Sequence, residues 1–228
     1  MVGRIAEFFR FFFPTPPATV PRNGIRIVVI GSSTSAGDKL RDINNGWVWR
    51  YRDFLAHAHP GSEVINLAVS GYSTYQLQPD DFPTPRARPR VDHDHNISRA
   101  LRLEPSAIIV NTPTNDTVSG FSVEEQLGNY EHIAAEAARV GVPLWVATTQ
   151  PRNLPEIQRR ILAEVRDLIL QRFGQKSLDF WSGIAAADGT IDPRYDSGDG
   201  THLNDDAHAV LFTRVREAGI PAQAITPA

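Results

Sequence analysis

Five short apolar runs recur along the chain, separated by longer segments of mixed polarity. The runs are rich in Val, Ile and Leu and scarcely alternate with polar residues, which is typical of parallel strands buried on both faces. They cover residues 25–30, 63–67, 107–111, 144–147 and 177–180, the last being the weakest. The sequence therefore predicts a buried sheet of five strands.

Apolar residues spaced three and four positions apart fill the segments between these runs. This spacing places apolar side chains along one face of a helix. The predicted helices cover residues 47–57, 97–103, 123–140, 154–173 and 205–218. In the fourth helix the apolar face comprises Ile157, Ile161, Val165, Leu168 and Ile169. Strands that alternate with helices indicate an α/β fold with helices on both faces of a parallel sheet.

The first 23 residues differ in composition from the rest. An aromatic run over residues 8–13 is interrupted by Arg10, and four prolines follow by residue 21. Because proline disrupts regular backbone pairing, we expect residues 1–23 to form an aromatic segment with a proline-rich linker, and residues 24–228 to form one domain. The segment is expected to contact a membrane or partner, to pack on the domain, or to be the remnant of a leader. Arg10 breaks the apolar stretch of a signal peptide, so the sequence leaves cytoplasmic and exported locations open.

Composition narrows the classes of function. With 228 residues, 41% hydrophobic and 21% charged, the chain has the make-up of an ordinary globular domain. Its net charge of −3 gives no basic surface, so we predict no nucleic-acid partner. No run approaches the roughly 20 apolar residues of a membrane span. The absence of cysteine excludes disulfides, thiolate metal sites and a cysteine nucleophile. The oligomeric state is left open.

A small-residue turn, GSSTSAG over residues 31–37, follows the first predicted strand. Ligands of open parallel sheets bind beyond the carboxyl ends of the strands, which is where this turn is expected to lie. A phosphate-binding Walker loop requires four residues between its glycines and then Lys, whereas five residues and then Asp38 occur here. A dinucleotide fingerprint requires a third glycine. The turn thus presents several hydroxyl groups, and by itself it is equally compatible with a structural loop.

A second polar segment lies near the other end of the chain, where Asp199 precedes His202 by three residues. In a turn, this spacing lets the carboxylate accept a hydrogen bond from one ring nitrogen and leaves the other free to act as a base toward a serine. A plain surface turn is the alternative interpretation. A calcium site formed by Asp192, Asp196 and Asp199 is another, although it lacks the spacing of an EF-hand.

Two further turns follow the second and third predicted strands. Gly71 offers a backbone N–H, and Asn115 offers a side-chain amide. Both would lie at the same sheet edge as the small-residue turn, where such donors can stabilise a developing oxyanion.

Taken in order, these four segments resemble the four sequence blocks of the SGNH (GDSL-like) hydrolase superfamily. Ser33 occupies the position of the nucleophile in the Gly-Asp-Ser block, Gly71 and Asn115 match the second and third blocks, and Asp199 with His202 matches the Asp-x-x-His block. The resemblance spans residues 25–212. The chain departs from the family pattern at Ser32, where the family usually has Asp, and at Pro113, where it usually has Gly.

The resemblance implies a three-layer α/β/α sandwich around a mostly parallel five-stranded sheet of flavodoxin-like order. It implies catalysis by Ser33, Asp199 and His202, with an oxyanion hole formed by the N–H groups of Ser33 and Gly71 and the amide of Asn115. We therefore expect a serine esterase that cleaves small carboxylic esters, with short-chain or O-acetyl groups favoured, through an acyl-serine and without a metal or other cofactor. An acyltransferase, a lysophospholipase or thioesterase, and a non-catalytic binding module are the alternatives.

Several other polar residues are candidates for lesser roles. Those expected to line the pocket are Ser32, Thr149, Gln150 and Arg152, the last as a contact for a polar or anionic part of the substrate. Imidazole and carboxylate groups in the sequence Asp-His-Asp-His at residues 92–95 could bind zinc, although a solvated loop is the favoured interpretation.

Overall fold

The computed structural model describes residues 24–221 and contains one parallel sheet. Its strands are β1 (Arg26–Gly31), β2 (Glu63–Asn66), β3 (Ala107–Asn111), β4 (Leu144–Ala147) and β5 (Ser177–Leu178). They pair in the order β2-β1-β3-β4-β5, which is the flavodoxin-like order. The five predicted strands are thus confirmed. Strand β5 ends before residue 180 because Asp179 turns the chain, with its carboxylate accepting hydrogen bonds from the N–H groups of Trp181 and Ser182.

Seven α-helices lie among the described residues. They are α1 (Ser33–Ala36), α2 (Trp47–Ala58), α3 (Ile97–Arg102), α4 (Asn115–Val118), α5 (Val123–Arg139), α6 (Glu156–Phe173) and α7 (Asp205–Glu217). The five predicted helices correspond to α2, α3, α5, α6 and α7. The single-turn helices α1 and α4 were not predicted, because four residues are too few to show a helical period. Each begins at a candidate site residue, Ser33 and Asn115.

Local sequence sets the helix ends. Ser122 and Glu125 form a capping box at the start of α5. Helix α6 begins at Glu156 rather than at residue 154, because the residue before Pro155 disfavours helical backbone angles. The prediction that Ile157 belongs to the buried face of α6 is wrong, since its side chain is 67% exposed. At about 100° per residue, Ile157 points well away from the buried stripe of this helix, which comprises Leu162, Val165 and Ile169.

Two apolar clusters cover the two faces of the sheet. Alternate residues of β1 point to opposite faces, so Ile27 and Val29 join one cluster while Val28 and Ile30 join the other. Helices α2 and α7 pack on the first face, and α3, α5 and α6 pack on the second. This arrangement confirms the predicted three-layer α/β/α sandwich and leaves the loops after the strands at one polar edge.

The described part of the chain has no helix long and apolar enough to cross a membrane. The predicted aromatic segment and proline-rich linker at residues 1–23 lie outside the described residues. The domain boundary at residue 24 therefore stays a prediction.

Candidate active site

The turn that carries Ser33 is held against the ends of β1 and β3. A Cβ atom at Gly31 would lie 2.3 Å from the carbonyl oxygen of Asn111, so only glycine allows the two strands to approach this closely. The next N–H group, that of Ser32, donates to the same carbonyl oxygen at 2.9 Å. Ser33 is therefore placed as the first residue of α1, directly beyond the carboxyl end of β1.

Two asparagines at strand ends fix this turn from either side. Asn66, the last residue of β2, donates from Nδ2 to the carbonyl oxygen of Ser35 at 2.7 Å. Asn111, the last residue of β3, accepts at Oδ1 from the Ser35 hydroxyl at 2.8 Å. The sequence analysis missed this role; an asparagine closing an apolar strand was the available signal.

Ser33 itself is only partly buried. Neither its Oγ atom nor its N–H group forms a hydrogen bond with another residue in the range 24–221, whereas the N–H groups of Ser35 and Ala36 bond within the turn. The hydroxyl and the N–H group of Ser33 are thus both free to contact a ligand at the sheet edge.

Asp199 and His202 form a hydrogen-bonded pair. His202 Nδ1 lies 2.7 Å from Asp199 Oδ2, and Asp199 Oδ1 accepts from the N–H groups of Thr201 at 2.9 Å and His202 at 2.8 Å. Partial burial opposes ionisation of Asp199, but the hydrogen bonds from His202 and Thr201 outweigh it and hold the pKa of this carboxyl well below its usual range. The pair therefore combines an ionised carboxylate with an oriented imidazole, whose Nε2 atom has no partner among the described residues.

The loop after β4 joins the Ser33 turn to the His202 turn. Gln150 accepts at Oε1 from Thr34 Oγ1 at 2.8 Å and donates from Nε2 to the Thr201 carbonyl oxygen at 3.4 Å. Thr34 follows Ser33 and Thr201 precedes His202, so a single side chain spans the two segments. The N–H group of Asn153 adds a bond of 2.8 Å to the Gly200 carbonyl oxygen.

The other two oxyanion candidates lie in neighbouring turns. Gly71 is exposed with a φ of 84°, and its N–H group has no partner among residues 24–221. Asn115 Nδ2 donates one hydrogen to the Tyr72 carbonyl oxygen at 2.8 Å, which leaves its second hydrogen available. The Ser70 hydroxyl also donates to Asp38 Oδ1 at 2.6 Å and so links the Gly71 turn to the segment after α1.

Comparison with known proteins identifies the family. The sequence profile of the GDSL-like Lipase/Acylhydrolase family matches residues 29–210. The chain belongs to this family. The resemblance inferred from the four sequence segments is thereby confirmed, and cleavage of ester bonds is the activity that the family supports. No curated protein sequence is significantly similar to the chain.

Solved structures of similar fold include several esterases. The psychrotrophic esterase EstA from Pseudoalteromonas is 16% identical with a TM-score of 0.62, over 86% of this chain and 97% of that one. The acetyl-xylooligosaccharide esterase Axe2 from Geobacillus is 16% identical with a TM-score of 0.64, over 87% and 96%. A two-domain esterase active on acetylated mannans is 12% identical with a TM-score of 0.59, over 89% of this chain and 50% of that one. At these identities the likeness concerns the fold.

Three residues of this GDSL-like protein that were expected to line the pocket are almost completely buried. Ser32, Thr149 and Gln150 are each 1% exposed. The Thr149 hydroxyl donates to the Leu162 carbonyl oxygen at 2.6 Å, and Gln150 is used in the bridge described above. The hydroxyl of Ser32, which replaces the family's usual Asp, is buried without a partner among the described residues. Ser32 is therefore poorly placed to act as a second nucleophile.

Arg152 is the remaining member of that predicted set, and it is partly exposed. Its Nη1 atom donates to Thr114 Oγ1 at 3.1 Å, beside Asn115. Burial lowers the pKa of this guanidinium, and the charge of Asp199 opposes the shift. Arg152 thus lies between the Asn115 turn and the Asp199 turn of the GDSL-like site.

Several side chains considered as metal ligands pair with neighbouring charged groups. His93 and His95 contact Asp80 and Asp92 respectively, each through Nδ1 at 2.9 Å. Asp192 pairs with Arg194 at 2.7 Å. Within residues 24–221, no three His, Asp or Glu side chains are arranged to hold a metal ion.

His208 is a buried residue to which the sequence analysis gave no role. It lies on α7, and its Nδ1 atom accepts from the Trp47 N–H group at 3.2 Å. Burial lowers the pKa of His208 to about 4, so the ring is neutral at pH 7.

Proposed function

We propose that the protein is a serine esterase in which Ser33 attacks the carbonyl carbon of a carboxylic ester. The observation that carries the proposal is the Asp199–His202 pair at 2.7 Å, joined by Gln150 to the turn that bears Ser33. Nucleophilic acyl transfer requires an oriented imidazole that can reach a serine hydroxyl, and the Gln150 bridge between the two turns supports this pairing.

In the proposed reaction, His202 Nε2 takes the proton of Ser33 Oγ as the oxygen attacks. Asp199 keeps the Nδ1 proton of His202 in place and stabilises the imidazolium ion. The proton then passes to the leaving alcohol and an acyl-serine remains. Water, deprotonated by the same imidazole, then attacks the acyl-serine. The bond between the acyl carbon and Ser33 Oγ breaks, Oγ takes the proton from His202, and the carboxylic acid is released.

The negative charge on the former carbonyl oxygen needs hydrogen-bond donors. The Ser33 N–H, the Gly71 N–H and the second Nδ2 hydrogen of Asn115 each have no other hydrogen-bond acceptor among the described residues. We assign them to the oxyanion hole. Loss of one such donor typically lowers turnover by about 10²–10³.

Short-chain esters, and O-acetyl groups on carbohydrate in particular, are the substrates that we propose. The residues around Ser33 are small or polar, and Arg152 offers donors to oxygen atoms of an alcohol part. Two structural neighbours are described as esterases of acetylated xylo-oligosaccharides and acetylated mannans, which supports this choice. The residues are also compatible with an acyltransferase, a lysophospholipase or thioesterase, and a non-catalytic binding module.

Hydrolysis of p-nitrophenyl acetate tests the catalytic roles. We expect Ser33→Ala and His202→Ala each to abolish turnover while the protein stays folded, because both side chains lie at the partly open sheet edge. Ser182→Ala, at an exposed serine after β5, serves as the matched control and should leave turnover unchanged. Activity that survives Ser33→Ala but is lost in Ser32→Ala would show that the adjacent serine is the nucleophile.

Two measurements separate the alternatives. A fluorophosphonate probe should label Ser33, as shown by mass spectrometry; a folded protein that is not labelled would favour a binding module. EstA, a structural neighbour, is inhibited by monoethylphosphonate, which recommends this class of probe. Product analysis with added alcohol or sugar acceptors distinguishes hydrolysis, which gives free acid, from acyl transfer, which gives a new ester.

A further inference from the structure

Asp116 is a buried carboxylate that the proposed reaction does not use. It follows Asn115 on α4 and is only 2% exposed. Its Oδ1 atom accepts from the Thr74 N–H group at 2.9 Å, and its Oδ2 atom accepts from the Thr74 hydroxyl. Both oxygens of this carboxylate therefore bind one residue of the loop that begins at Gly71.

Thr74 is itself held firmly. It is fully buried, and its Oγ1 atom accepts from Asn129 Nδ2 at 2.8 Å. Its carbonyl oxygen accepts from Gln78 Nε2 at 3.0 Å. Asn129 belongs to the long helix α5, so Thr74 is a fixed point between that helix and the Gly71 turn.

A second link runs beside the first. Asn115 donates from Nδ2 to the carbonyl oxygen of Tyr72, the residue after Gly71. Two consecutive residues of α4 thus bind two residues of the Gly71 loop. Between them, these bonds fix the distance from the Gly71 N–H group to the Asn115 amide.

Burying a carboxylate is unfavourable unless hydrogen bonds offset the loss of water. Burial raises the pKa of Asp116 to about 6, the bonds from Thr74 oppose the rise, and the charge of Glu125 adds to it. Asp116 nevertheless offers no surface to a substrate. Its observed contacts are those of a residue that orders a neighbouring loop.

We propose that Asp116 is the positioning residue of the oxyanion hole, holding the Gly71 turn at a fixed distance from Asn115. The inference rests on the proposed function, since it assumes that these two donors receive the oxyanion. Asp116 acts through the two donors and does not touch the substrate. Displacement of a catalytic group by about 1 Å can cost 10²-fold in rate, which sets the expected size of the effect.

Substitutions at Asp116 and Thr74 test the role with p-nitrophenyl acetate. Asp116→Ala should lower kcat by about 10² with little change in KM, because the donors act on the transition state. Asp116→Asn keeps an acceptor for the Thr74 N–H group and should recover most of the lost turnover. Thr74→Val removes one of the two bonds while keeping the shape, so it should fall between Asp116→Ala and the wild type. Equal losses in Asp116→Asn and Asp116→Ala, with both proteins folded, would contradict positioning by hydrogen bonds.

A double-mutant cycle with Asn115→Ala separates positioning from general stability. If Asp116 acts through the oxyanion donors, the factor by which Asp116→Ala lowers kcat should be at least about tenfold smaller in the Asn115→Ala background than in the wild type. Asp179→Ala is the matched control, because Asp179 also accepts from two N–H groups but lies in the loop after β5. It should lower the melting temperature and leave kcat unchanged.

The outcomes distinguish the two proposals. Turnover by the wild type that does not depend on Ser33 would overturn the proposed function. If turnover depends on Ser33, but the loss of kcat in the double variant equals the product of the losses in Asp116→Ala and Asn115→Ala, only the positioning role would be overturned. Should Asp116→Ala fail to fold, the same cycle is run with Thr74→Val. The reduction in kcat that Thr74→Val causes must then also be smaller in the Asn115→Ala background.

Discussion

Individual polar residues differ in how far their contacts and pKa values depend on the rest of the fold. Asp199 lies three positions before His202, and the turn between them suffices to bring the carboxylate to the ring. Asp116 and His208 are ordinary polar residues in the sequence whose properties change through burial. Burial disfavours the charged form of each, so it raises the pKa of Asp116 and lowers that of His208.

We expect His208 to make stability fall on mild acidification. Its pKa is about 4 in the folded protein against 6.5 for an unperturbed histidine, so between these values the unfolded chain binds more protons. The contribution of His208 to the free energy of unfolding is therefore complete above pH 6.5, and it is lost progressively as the pH falls toward 4. From pH 7 to pH 5 the loss amounts to about 2 kcal/mol.

Urea unfolding of the wild type and His208→Asn at the two pH values measures this loss. Asparagine keeps an acceptor for the Trp47 N–H group and does not titrate. The difference in free energy of unfolding between the wild type and His208→Asn should therefore be smaller at pH 5 than at pH 7, by about 2 kcal/mol. Titration of Asp116 is common to both proteins and largely cancels. An advantage that is equal at both pH values would show that His208 is not held neutral by burial.

At the scale of elements, the site is assembled from loops that follow four different strands. Helices α1 and α4 each supply their first residue, Ser33 and Asn115. The loop after β4 contributes no group to the proposed reaction, yet Gln150 and Asn153 connect it to both the Ser33 turn and the His202 turn. We infer that this loop sets the approach of the proposed base, His202, to the proposed nucleophile, Ser33.

Gln150→Leu tests that conclusion. Leucine is similar in size but breaks the bonds to Thr34 and Thr201, so we expect kcat on p-nitrophenyl acetate to fall by about 10–10², with KM little changed. Thr149→Val is the matched control, because it removes a neighbouring buried hydroxyl that bonds only to the α6 backbone. If both variants lose the same small fraction of activity, the bridge has no special part in catalysis.

At the scale of the whole molecule, the sheet separates two apolar clusters and presents one polar edge. Ile109 of β3 belongs to the cluster beneath α2 and α7, and Ile133 of α5 belongs to the opposite one. Val29 lies beside Ile109 in the register of the sheet and shares its cluster. The clusters belong to one sheet, so we expect them to unfold together.

Equilibrium unfolding of conservative variants checks this expectation. Ile109→Val and Ile133→Val should each cost about 0.5–1.5 kcal/mol, and their effects should add within about 0.5 kcal/mol because the sheet lies between them. Ile109→Val combined with Val29→Ala should depart from additivity by more than that, since the two side chains share a cluster. All variants should unfold in a single transition. A second transition would show that the faces are independent units.

The fold was largely predictable because burial patterns are local. Strands β1, β3 and β4 show as unbroken apolar runs, and α5 shows its helical period and its capping residues in the sequence. The prediction was less accurate at β5, which the local turn at Asp179 ends early, and at Ile157, whose side chain faces solvent.

The sequence by itself determined the five strands and the five longer helices, because these depend on local periodicity. The resemblance of four short segments to a known family indicated the family and the candidate residues, which are Ser33, Gly71, Asn115, Asp199 and His202. Only the tertiary structure decided which polar residues support the site. Gln150 joins segments more than a hundred positions apart, and Asp116 binds Thr74 across two loops. Such contacts carry no periodic or motif signal, because they arise only when the parallel sheet brings the ends of its strands to one edge.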